Sequence, residues 1–387
     1  MNTKTPTAGQ QCDLRVLVLS KRQYMSRDLL DDRYGRFREL PMAMSKLGVP
    51  IEGLCLSYRD RPEVRTVDRD GVGSVPWTSV NSRRLIPVGR ASYLAELDRI
   101  GRDFRPTVIW ACSDVPHAVL GTLAARRIGA KLVVDLYDNF ESYPLSRVPG
   151  VNLALRLAIG AADGVTCVSS PLSEMIRRRY NYQGSIATIE NAIPHGLFAP
   201  GDKLASRQSF GLPATGLLIG TVGALSPGRG TDQLIDAFLR LAQQQADAHL
   251  VLAGPLDASL EIPETANIHY LGLLGPDQVP KLLPALDISV VGNRDSAFGR
   301  YCFPQKLYES LACGVPVAVA RVGAMAALLS DFPENLYEPD SVDSLLATLL
   351  RLTRQAITPD IRIPTWDLLG ETLASFLQEN AQRTRAD

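Results

Sequence analysis

Short apolar runs alternate with amphipathic stretches along the first half of the chain. Runs rich in Val, Leu and Ile predict strands, and stretches with apolar residues at helical spacing predict helices. The predicted strands are Leu14–Ser20, Ile51–Leu56, Val108–Cys112, Lys131–Asp135 and Gly164–Ser169, and the predicted helices are Phe37–Leu47, Ala118–Ile128 and Leu172–Tyr180. Strands that alternate with helices are typical of a parallel, doubly wound sheet.

The same alternation resumes in the second half of the chain. It pauses at residues 197–215, a stretch with Pro, Gly and no long period that is typical of a linker. The strands predicted beyond it are Leu217–Val222, His249–Ala253, Ile288–Val291 and Val315–Ala320, and the helices are Thr231–Gln245, Asp277–Leu286, Gln305–Cys313 and Trp366–Asn380. We therefore predict an α/β protein of two Rossmann-like domains.

The predicted boundaries are an N-terminal domain at 13–196, the linker at 197–215 and a C-terminal domain at 216–365. A final helix at 366–387 is expected to pack back on one of the two domains, the N-terminal one included. In such sheets, ligands bind beyond the carboxyl ends of the strands. Two domains facing each other would form a cleft of the kind that binds small molecules.

Composition narrows the class of protein. The 41 basic and 41 acidic residues cancel, so binding to nucleic acid through overall charge is not expected. The six cysteines show no C-x-x-C pair, which argues against structural zinc and favours a reducing compartment. Met1–Gln11 lacks the apolar core of a signal peptide, and no apolar run approaches the roughly 20 residues of a membrane span. We expect a cytoplasmic protein whose membrane contact, if any, is peripheral at the inner face.

A glycine-rich segment, residues 220–230, lies between a predicted strand and a predicted helix. Its four glycines allow the backbone to approach a ligand, and the N-terminus of the following helix attracts anions. Arg229 adds a forked donor suited to phosphate oxygens. The spacing matches neither a dinucleotide fingerprint nor a P-loop. The alternative is an ordinary strand-to-helix turn with an exposed arginine.

A second segment, residues 303–317, predicts a helix with two ionisable side chains on one side. Pro304 suits its first position, and Leu307 and Leu311 form the buried stripe, so Lys306 and Glu309 point elsewhere. A lysine in the first turn is unfavourable beside the positive end of the helix dipole. Its placement there makes sense if an anion is bound at this end of the helix. Glu309 can accept two hydrogen bonds from a diol. The alternative is a solvated face with a Lys306–Glu309 salt bridge.

The sequence Lys306–Val317 (KLYESLACGVPV) resembles the C-domain signature of retaining family 4 glycosyltransferases, which have the GT-B fold. Further segments follow in the order found in that family. They are the N-domain strand LVVDLYD at 132–138, ADGVTCVS at 162–169, IENAI at 189–193, the diphosphate loop GALSPGRG at 223–230 and the strand NIHYLG at 267–272. The likeness extends from about Leu14 to Val322.

The resemblance implies a role for particular residues. Glu309 would hold the ribose of a nucleotide sugar, and Arg229 and Lys306 would neutralise its diphosphate. The other donor-binding residues implied are Gly223 and Gly228 in the diphosphate loop, Leu273 and Leu274 at the base, Pro304 at the helix start, Gly35 and Arg36 at the sugar and phosphate, and Tyr301. Asp138 would orient an acceptor hydroxyl; alternatively it is an exposed strand-end carboxylate or a helix N-cap. No metal and no cofactor is expected.

Three positions depart from the family pattern. Tyr301 stands where many members have the glutamate that meets the donor sugar. Ala224 replaces an arginine of the diphosphate loop, and Tyr137 replaces the histidine of a His-Asp pair. The sugar and the acceptor therefore stay open.

The implied activity is transfer of a sugar from a UDP- or GDP-linked donor to the hydroxyl of a sugar or lipid-linked acceptor. The anomeric configuration would be retained, and bacterial-type polysaccharide or glycolipid synthesis is the expected setting. The alternatives are a nucleotide-sugar epimerase or hydrolase and a non-catalytic nucleotide-sugar binder. The resemblance also implies peripheral membrane contact, because family members that glycosylate lipid carriers often dock on anionic membranes through the N-terminal domain. Two basic pairs at residues 83–84 and 126–127 and a basic triplet at 177–179 fit that expectation; alternatively they are solvated helix faces.

Overall fold

The computed structural model describes residues 14–24, 27–81 and 89–383, which divide into two compact units. Unit 1 comprises the described parts of Met1–Cys167, Ser173–Ile189 and Asp367–Asp387, and unit 2 comprises Val168–Leu172 and Glu190–Trp366. The expectations for Met1–Gln11, Cys12 and the basic pair at residues 83–84 lie outside the described residues. Within the described ranges, no helix is long and apolar enough to cross a bilayer.

Unit 1 is a sheet with helices, as the alternating pattern predicts. Its strands are β1 (Val16–Lys21), β2 (Gln23–Tyr24), β3 (Arg27–Asp28), β4 (Ile51–Ser57), β5 (Val64–Asp70), β6 (Gly73–Asn81), β7 (Val108–Ala111), β8 (Lys131–Leu136), β9 (Gly164–Cys167) and β10 (Ser185–Thr188). Its helices, numbered along the whole chain, are α1 (Arg36–Lys46), α2 (Gly89–Asp103), α3 (Val115–Ile128), α4 (Val151–Gly160), most of α5 (Ser170–Arg179) and α12 (Trp366–Gln382).

The main sheet of unit 1 has the order β10-β9-β8-β7-β1-β4-β6-β5, and its described strands are parallel except for the β5–β6 pair. In β1, Val16 is in register with Ile51 of β4 on one side and with Val108 of β7 on the other. The chain thus passes from β1 to β4 on one side of β1, and later in the sequence it continues to β7 on the other side. The strand order therefore reverses its direction at β1. The carboxyl ends of β1 and β7 therefore form a topological switch point, the usual place for a ligand in such a sheet.

Unit 2 repeats this architecture. Its strands are β11 (Leu217–Val222), β12 (Ala248–Ala253), β13 (Ile268–Tyr270), β14 (Ile288–Val291), β15 (Val317–Ala320) and β16 (Leu336–Tyr337), and its helices are α6 (Lys203–Ser209), α7 (Thr231–Ala242), α8 (Val279–Leu282), α9 (Gln305–Ala312), α10 (Gly323–Leu328) and α11 (Val342–Arg354). The described strands are all parallel, in the order β13-β12-β11-β14-β15-β16. The GT-B-like prediction of two parallel-sheet domains is confirmed.

The predicted linker at 197–215 is wrong, because this stretch is part of unit 2. It contains α6, whose N-terminus is capped by Asp202 through the N–H of Ala205 at 2.8 Å. The buried Arg207 ties α6 to the unit by an ion pair of 2.7 Å with Asp287 and by hydrogen bonds to backbone carbonyls, including that of Ala285 at 3.0 Å. Arginine is counted as polar in a hydrophobicity pattern, so this anchor was not visible in the sequence.

The last helix, α12, belongs to unit 1 except for its first residue, because Asp367–Asp387 cluster with that unit. A Cβ added to Gly370 would lie 2.5 Å from the Cβ of Ala43, so α12 packs closely on α1. At its other end, Asn380 accepts a hydrogen bond of 2.6 Å from the Ser185 hydroxyl of β10. Both contacts are made within unit 1, one at each end of the helix.

The β5–β6 hairpin was missed by the sequence analysis. β5 is mostly exposed and carries Arg65, Asp68 and Arg69, so it lacks an apolar run. It pairs antiparallel with β6 at the end of the sheet. A polar sequence is common in such an edge strand because only one of its sides is hydrogen-bonded within the sheet.

Arg36 has a structural role that contradicts its predicted contact with sugar and phosphate. Its guanidinium is fully buried, paired at 2.8 Å with the equally buried Asp135 and hydrogen-bonded at 2.9 Å to the carbonyl of Ile189. Thr166 also donates to Asp135, at 2.7 Å, and accepts from the indole of Trp110 at 3.2 Å. Burial of this ion pair within unit 1 leaves the guanidinium unable to reach a ligand.

Replacing Arg36 with Met should lower the free energy of unfolding by about 3–5 kcal/mol, because a buried carboxylate loses its counter-charge. The double variant Arg36→Met/Asp135→Leu should recover much of that loss, since no unpaired charge remains. Urea unfolding followed by tryptophan fluorescence measures both variants. Unchanged stability of Arg36→Met, or a double variant as unstable as the single one, would contradict the structural role.

Candidate functional site

Helix α9 is held in unit 2 by one apolar face and several polar contacts. Leu307 and Leu311 are buried in the core, as their spacing predicts. The hydroxyl of Ser310 lies 2.8 Å from that of Ser289 in β14. The Tyr308 hydroxyl donates to Glu190 at 2.9 Å. With this side of the helix fixed, Lys306 and Glu309 emerge elsewhere, both only partly exposed.

Pro304 lies at the N-cap of α9, one residue before its predicted position. Its carbonyl accepts a hydrogen bond from the N–H of Leu307 at 3.1 Å, and α9 begins at Gln305. Lys306 is thus in the first turn, as expected. The first N–H groups of a helix lack acceptors within it, so this end is suited to an anion.

Lys306 and Glu309 have pKa values shifted toward neutrality. Burial and, to a smaller extent, the charge of the nearby Arg229 lower the pKa of Lys306 to about 8, against the opposite effect of Glu309. Burial raises the pKa of Glu309 to about 7, opposed by Lys306. Among the described residues, no ion pair joins the two side chains, so the salt-bridge alternative is not observed. Both charges therefore need compensation that a charged, hydroxyl-rich ligand can supply.

Arg229 is held in a defined position rather than lying free in an exposed turn. Its guanidinium donates to the side-chain carbonyl of the buried Asn293 at 3.0 Å and stacks on the ring of Phe298 at 4.4 Å. The loop itself is a short 3-10 turn, Pro227–Arg229, followed by Gly230 with a positive φ of 67°. One N–H group of Arg229 is thus used for positioning, and the other donors of the guanidinium can face a ligand.

Two glycines bring the strand-end loops of β11 and β12 together. Gly223 has a φ of 109° and Gly254 a φ of 136°, values that side chains rarely allow. A Cβ on Gly254 would lie 2.0 Å from the carbonyl oxygen of Gly223. A Cβ on Gly223 would lie 3.6 Å from the ammonium nitrogen of Lys306. The close approach thus places the β11 loop directly beside the lysine of α9.

The loop after β13 reaches the same group of strand ends. The Gly272 carbonyl accepts a hydrogen bond of 2.7 Å from the N–H of Gly254. Beyond it, the Leu273 side chain is 77% exposed, whereas Leu274 packs on a hydrophobic cluster of unit 2. Gly228 is exposed in the loop after β11. These residues, predicted from separate segments, lie along one edge of the sheet.

Tyr301 is partly exposed and precedes α9 in the same unit. Its backbone carbonyl accepts a hydrogen bond of 2.7 Å from the Ser169 hydroxyl. The next residue, Cys302, is buried and accepts a hydrogen bond from Asn293, the residue that holds Arg229. Tyr301 is therefore fixed through its backbone near the predicted phosphate-binding arginine, with no carboxylate at its own position.

In unit 1, the strand ends at the switch point carry a chain of hydrogen-bonded polar groups. The Lys21 ammonium, at the end of β1, donates to the Tyr137 hydroxyl at 3.1 Å. The Tyr143 hydroxyl lies 3.3 Å from that of Tyr137 and donates to Asp138 at 2.7 Å. Burial and the charge of Asp138 raise the pKa of Tyr143, so it stays a donor.

Asp138 differs from both alternatives that the sequence left open. It is 6% exposed and therefore not a solvated carboxylate. The N-cap of the following 3-10 turn is Asn139, whose side chain accepts from the N–H of Glu141. Asp138 accepts instead from the N–H of Asn139 at 2.8 Å and from Tyr143. Its carboxylate orders the loop that carries Tyr143.

A second polar group adjoins the switch point, after β7. The buried His117 ring contacts Asp114 at 2.5 Å and the Ser113 hydroxyl at 3.3 Å. The Tyr58 hydroxyl donates to the other oxygen of Asp114 at 2.9 Å. Ser113 has a φ of 87° and accepts from the N–H of Lys21. The positive φ holds the loop against the end of β1.

Gly35 is the N-cap of α1, with a φ of 91°. A Cβ there would lie 2.5 Å from the ring of Tyr24, so glycine is required for this packing. The ring of Tyr24 is in edge contact with Tyr137 at 5.2 Å. Gly35 thus lies beside the switch-point residues, while Arg36 points into the core.

Several site residues were missed by the sequence analysis. Gly254, Asn293, Lys21 and Ser113 each end a strand or lie within two residues after one, so their position near a strand end was the available signal. Tyr143 had no such signal, because only the folded loop brings its hydroxyl to Asp138. Among the described residues, no three His, Cys, Asp or Glu side chains are grouped as metal ligands would be.

Two family models match most of the chain. The first, described as a glycosyl transferase 4-like domain, matches residues 36–192, which include Tyr137, Asp138 and Tyr143 of unit 1. The second, described as glycosyl transferases group 1, matches residues 216–355, which include Arg229, Lys306 and Glu309.

Similar proteins have been named in several organisms. D-inositol 3-phosphate glycosyltransferase 2 of Catenulispora acidiphila is 28% identical over 55% of this chain and 54% of its own length. Sucrose-phosphate synthase of Thermosynechococcus elongatus has a similar fold, with a TM-score of 0.65 at 16% identity over 95% of this chain and 94% of the other. The Anabaena protein Alr3699/HepE, solved in complex with UDP, has a TM-score of 0.65 at 17% identity over 95% and 98% of the two chains.

The chain spans about half the length of the curated relatives it matches. The solved structures, at less than 25% identity, show the fold, which is GT-B. Fold, ordered motifs and both family models agree. The chain belongs to the group 1 glycosyltransferases of the GT-B fold, within the family 4 type.

Proposed function

We propose that this protein transfers a sugar from a nucleotide diphosphate sugar to an acceptor hydroxyl. The observation that carries the proposal is the grouping of Arg229, Lys306 and Glu309 at the strand ends of unit 2, where glycine loops allow close approach. Two cations suit a diphosphate, and a carboxylate suits a ribose diol. The named relatives and the UDP complex of the Anabaena protein are consistent with such a donor.

The chemistry expected of this site is stabilisation of the leaving diphosphate by positioned charges. Arg229 is preorganised by Asn293 and Phe298, so it needs no rearrangement when charge develops on the leaving group. Lys306 and the N-terminus of α9 add to it. The proposal includes retention of anomeric configuration without an enzymic nucleophile and without a metal. NMR of the product anomer and activity after chelation test these two parts.

We place the acceptor at the switch point of unit 1. Lys21 and Tyr137 offer donors to acceptor oxygens there, and Asp138 and Tyr143 hold them in place. In this arrangement Asp138 is a positioning residue, since both of its oxygens already accept hydrogen bonds within the protein. A sugar or a lipid-linked sugar fits this polar set, and polysaccharide or glycolipid synthesis is the proposed setting.

Arg229→Ala should lower kcat by about two to three orders of magnitude, because loss of one preorganised donor typically costs about 3–4 kcal/mol of barrier. Turnover of UDP- and GDP-linked sugars with an acceptor panel measures this. Arg240→Ala, which removes an exposed arginine of α7 paired with Asp343, is the matched control and should retain activity. Wild-type turnover in Arg229→Ala would contradict the assignment.

Product analysis separates transfer from its alternatives. A new glycosidic product supports transfer, whereas free sugar or an epimerised donor would indicate a hydrolase or an epimerase. Nucleotide-sugar binding without turnover would indicate a binder. A thermal-shift panel of nucleotide sugars tests the donor site alone, since a ligand at about 100 times its Kd adds roughly 2.7 kcal/mol of stability.

UDP affinity should be highest between about pH 7 and pH 8. Glu309, with a pKa of about 7, is protonated below this range and no longer accepts two ribose hydrogen bonds. Lys306, with a pKa of about 8, loses its charge above it. Each limb should approach a tenfold loss per pH unit, as expected for one linked proton. Isothermal titration calorimetry across pH measures both limbs.

Single variants assign the two limbs. Lys306→Met should lose the alkaline limb, and Glu309→Gln should lose the contribution of Glu309 to the acidic limb, each with weaker binding at the optimum. The acidic limb also contains the titration of UDP itself, which Glu309→Gln leaves in place. An alkaline limb that persists unchanged in Lys306→Met would contradict the role of that lysine.

Tyr143→Phe should lower kcat/KM for the acceptor by about tenfold or more, with UDP affinity unchanged. The variant removes the donor to Asp138, a hydrogen bond to a charged group worth about 1.5–3 kcal/mol. Tyr180→Phe is the matched control, because Tyr180 donates to Glu141 at 2.9 Å in the same unit. Weaker UDP binding, or an equal loss in both variants, would contradict an acceptor-positioning role.

A further inference from the structure

Helix α4 and the turn before it expose an apolar strip that unit 1 does not cover. Leu153 is 61% exposed and Leu157 is 65% exposed, and their spacing of four residues places them on one face of the helix. The opposite face, with Leu155 and Ile159, is buried. Leu145 and Val148, in the 3-10 turn and directly after it, are 45% and 51% exposed.

These four side chains belong to one local structure. The 3-10 turn Pro144–Arg147 packs on α4, and the N–H of Val151 donates to the carbonyl of Val148 where the helix begins. The Ser146 hydroxyl fixes the turn by donating to the carbonyls of Glu141 and Tyr143. Single exposed leucines are ordinary on a protein surface, but a grouped set marks a contact with something apolar.

The charge around the strip has one sign. From residue 142 to residue 162 the chain contains Arg147 and Arg156 and no acidic residue. Both arginines are exposed, and Arg147 forms no ion pair with any described residue. The two flanking acids are largely covered: Glu141 pairs with Arg179 at 2.8 Å, and Asp163 with Lys131 at 3.0 Å.

Helix α5 extends the basic border. Its C-terminal turn carries Arg177, Arg178 and Arg179, all exposed. Glu141 joins this end of α5 to α4, because it also lies 3.8 Å from Arg156 and accepts from the Tyr180 hydroxyl. Arg178 has a partner in Glu174, at 3.5 Å between two exposed side chains, which is a weak pair.

We propose that the α4 strip (Leu145, Val148, Leu153 and Leu157, with Arg147 and Arg156) docks unit 1 on an anionic phospholipid bilayer. Leucines that enter the acyl boundary beside arginines at the headgroups are the pattern of an interfacial helix. A second copy of the chain fits less well, because a two-fold contact would bring two strips with the same positive charge against each other. The inference does not depend on the proposed transfer reaction.

Vesicle flotation of the full chain tests this surface. Vesicles of phosphatidylcholine with phosphatidylglycerol should carry the protein, and pure phosphatidylcholine should carry much less. Leu153→Ser/Leu157→Ser should lower the partition coefficient by about tenfold for each leucine, as the burial of such side chains implies. Leu204→Ser is the matched control, since Leu204 is an exposed leucine on α6 in unit 2.

Arg147→Gln/Arg156→Gln should lower binding by about fivefold for each charge, and added salt should lower wild-type binding similarly. Circular dichroism and UDP binding should match wild type in all variants, which separates this test from that of the donor site. No wild-type flotation, or leucine variants that float equally well, would overturn the proposal. A concentration-dependent dimer that the leucine variants abolish, without vesicle binding, would assign the strip to a second copy instead.

Discussion

Burial of one face of α9 determines where its two ionisable side chains lie. Leu307 and Leu311 enter the core of unit 2, and Ser310 and Tyr308 fix the rotation of the helix through hydrogen bonds. Lys306 is then held beside Gly223, where an added Cβ would lie in van der Waals contact with the lysine side chain. The glycine contact between the β11 and β12 loops completes this arrangement. Donor binding, in our proposal, depends on this packing more than on any single charge.

The electrostatic state of the site follows from that packing. A lysine held near an arginine and shielded from water loses part of its affinity for a proton, and a shielded glutamate gains some. Neither side chain forms an ion pair with a described residue, although the charge of each favours the charged form of the other. The site therefore contains charges that are poorly compensated within the protein, which is a common property of binding sites. A diphosphate and a ribose diol would supply the missing partners.

Unit 1 uses its buried charges differently. The Arg36–Asp135 pair is closed off in the core, where it joins α1 to β8 and, through Thr166, to β9. The accessible polar groups lie instead at the switch point, where β1 and β7 end side by side. Lys21, Tyr137 and Tyr143 form a connected set there. The exposed strip on α4 belongs to the same unit, so an acceptor-binding edge and a membrane-facing helix would be parts of one domain.

The sequence by itself determined the fold class and which face of α9 is buried. Alternating apolar runs and helical periods are repeated over many residues, so single exceptions do not obscure them. The orientation of α9 could be predicted for the same reason. The spacing of Leu307 and Leu311 indicates which face is buried and leaves Lys306 and Glu309 on the other. Local sequence signals of this kind need no knowledge of distant contacts.

Tertiary structure alone decided the features that depend on residues far apart in the chain. Arg36 looked like a ligand contact until Asp135 was found beside it, and residues 197–215 looked like a linker until Arg207 was found bound to Asp287. Asp138 acquires its role from Tyr143, and Gly254 from Gly223. The exposure of Leu153 and Leu157 was equally hidden, because a leucine in a sequence is expected to be buried. In each case the deciding partner, or its absence among the described residues, is set by folding and not by neighbouring sequence.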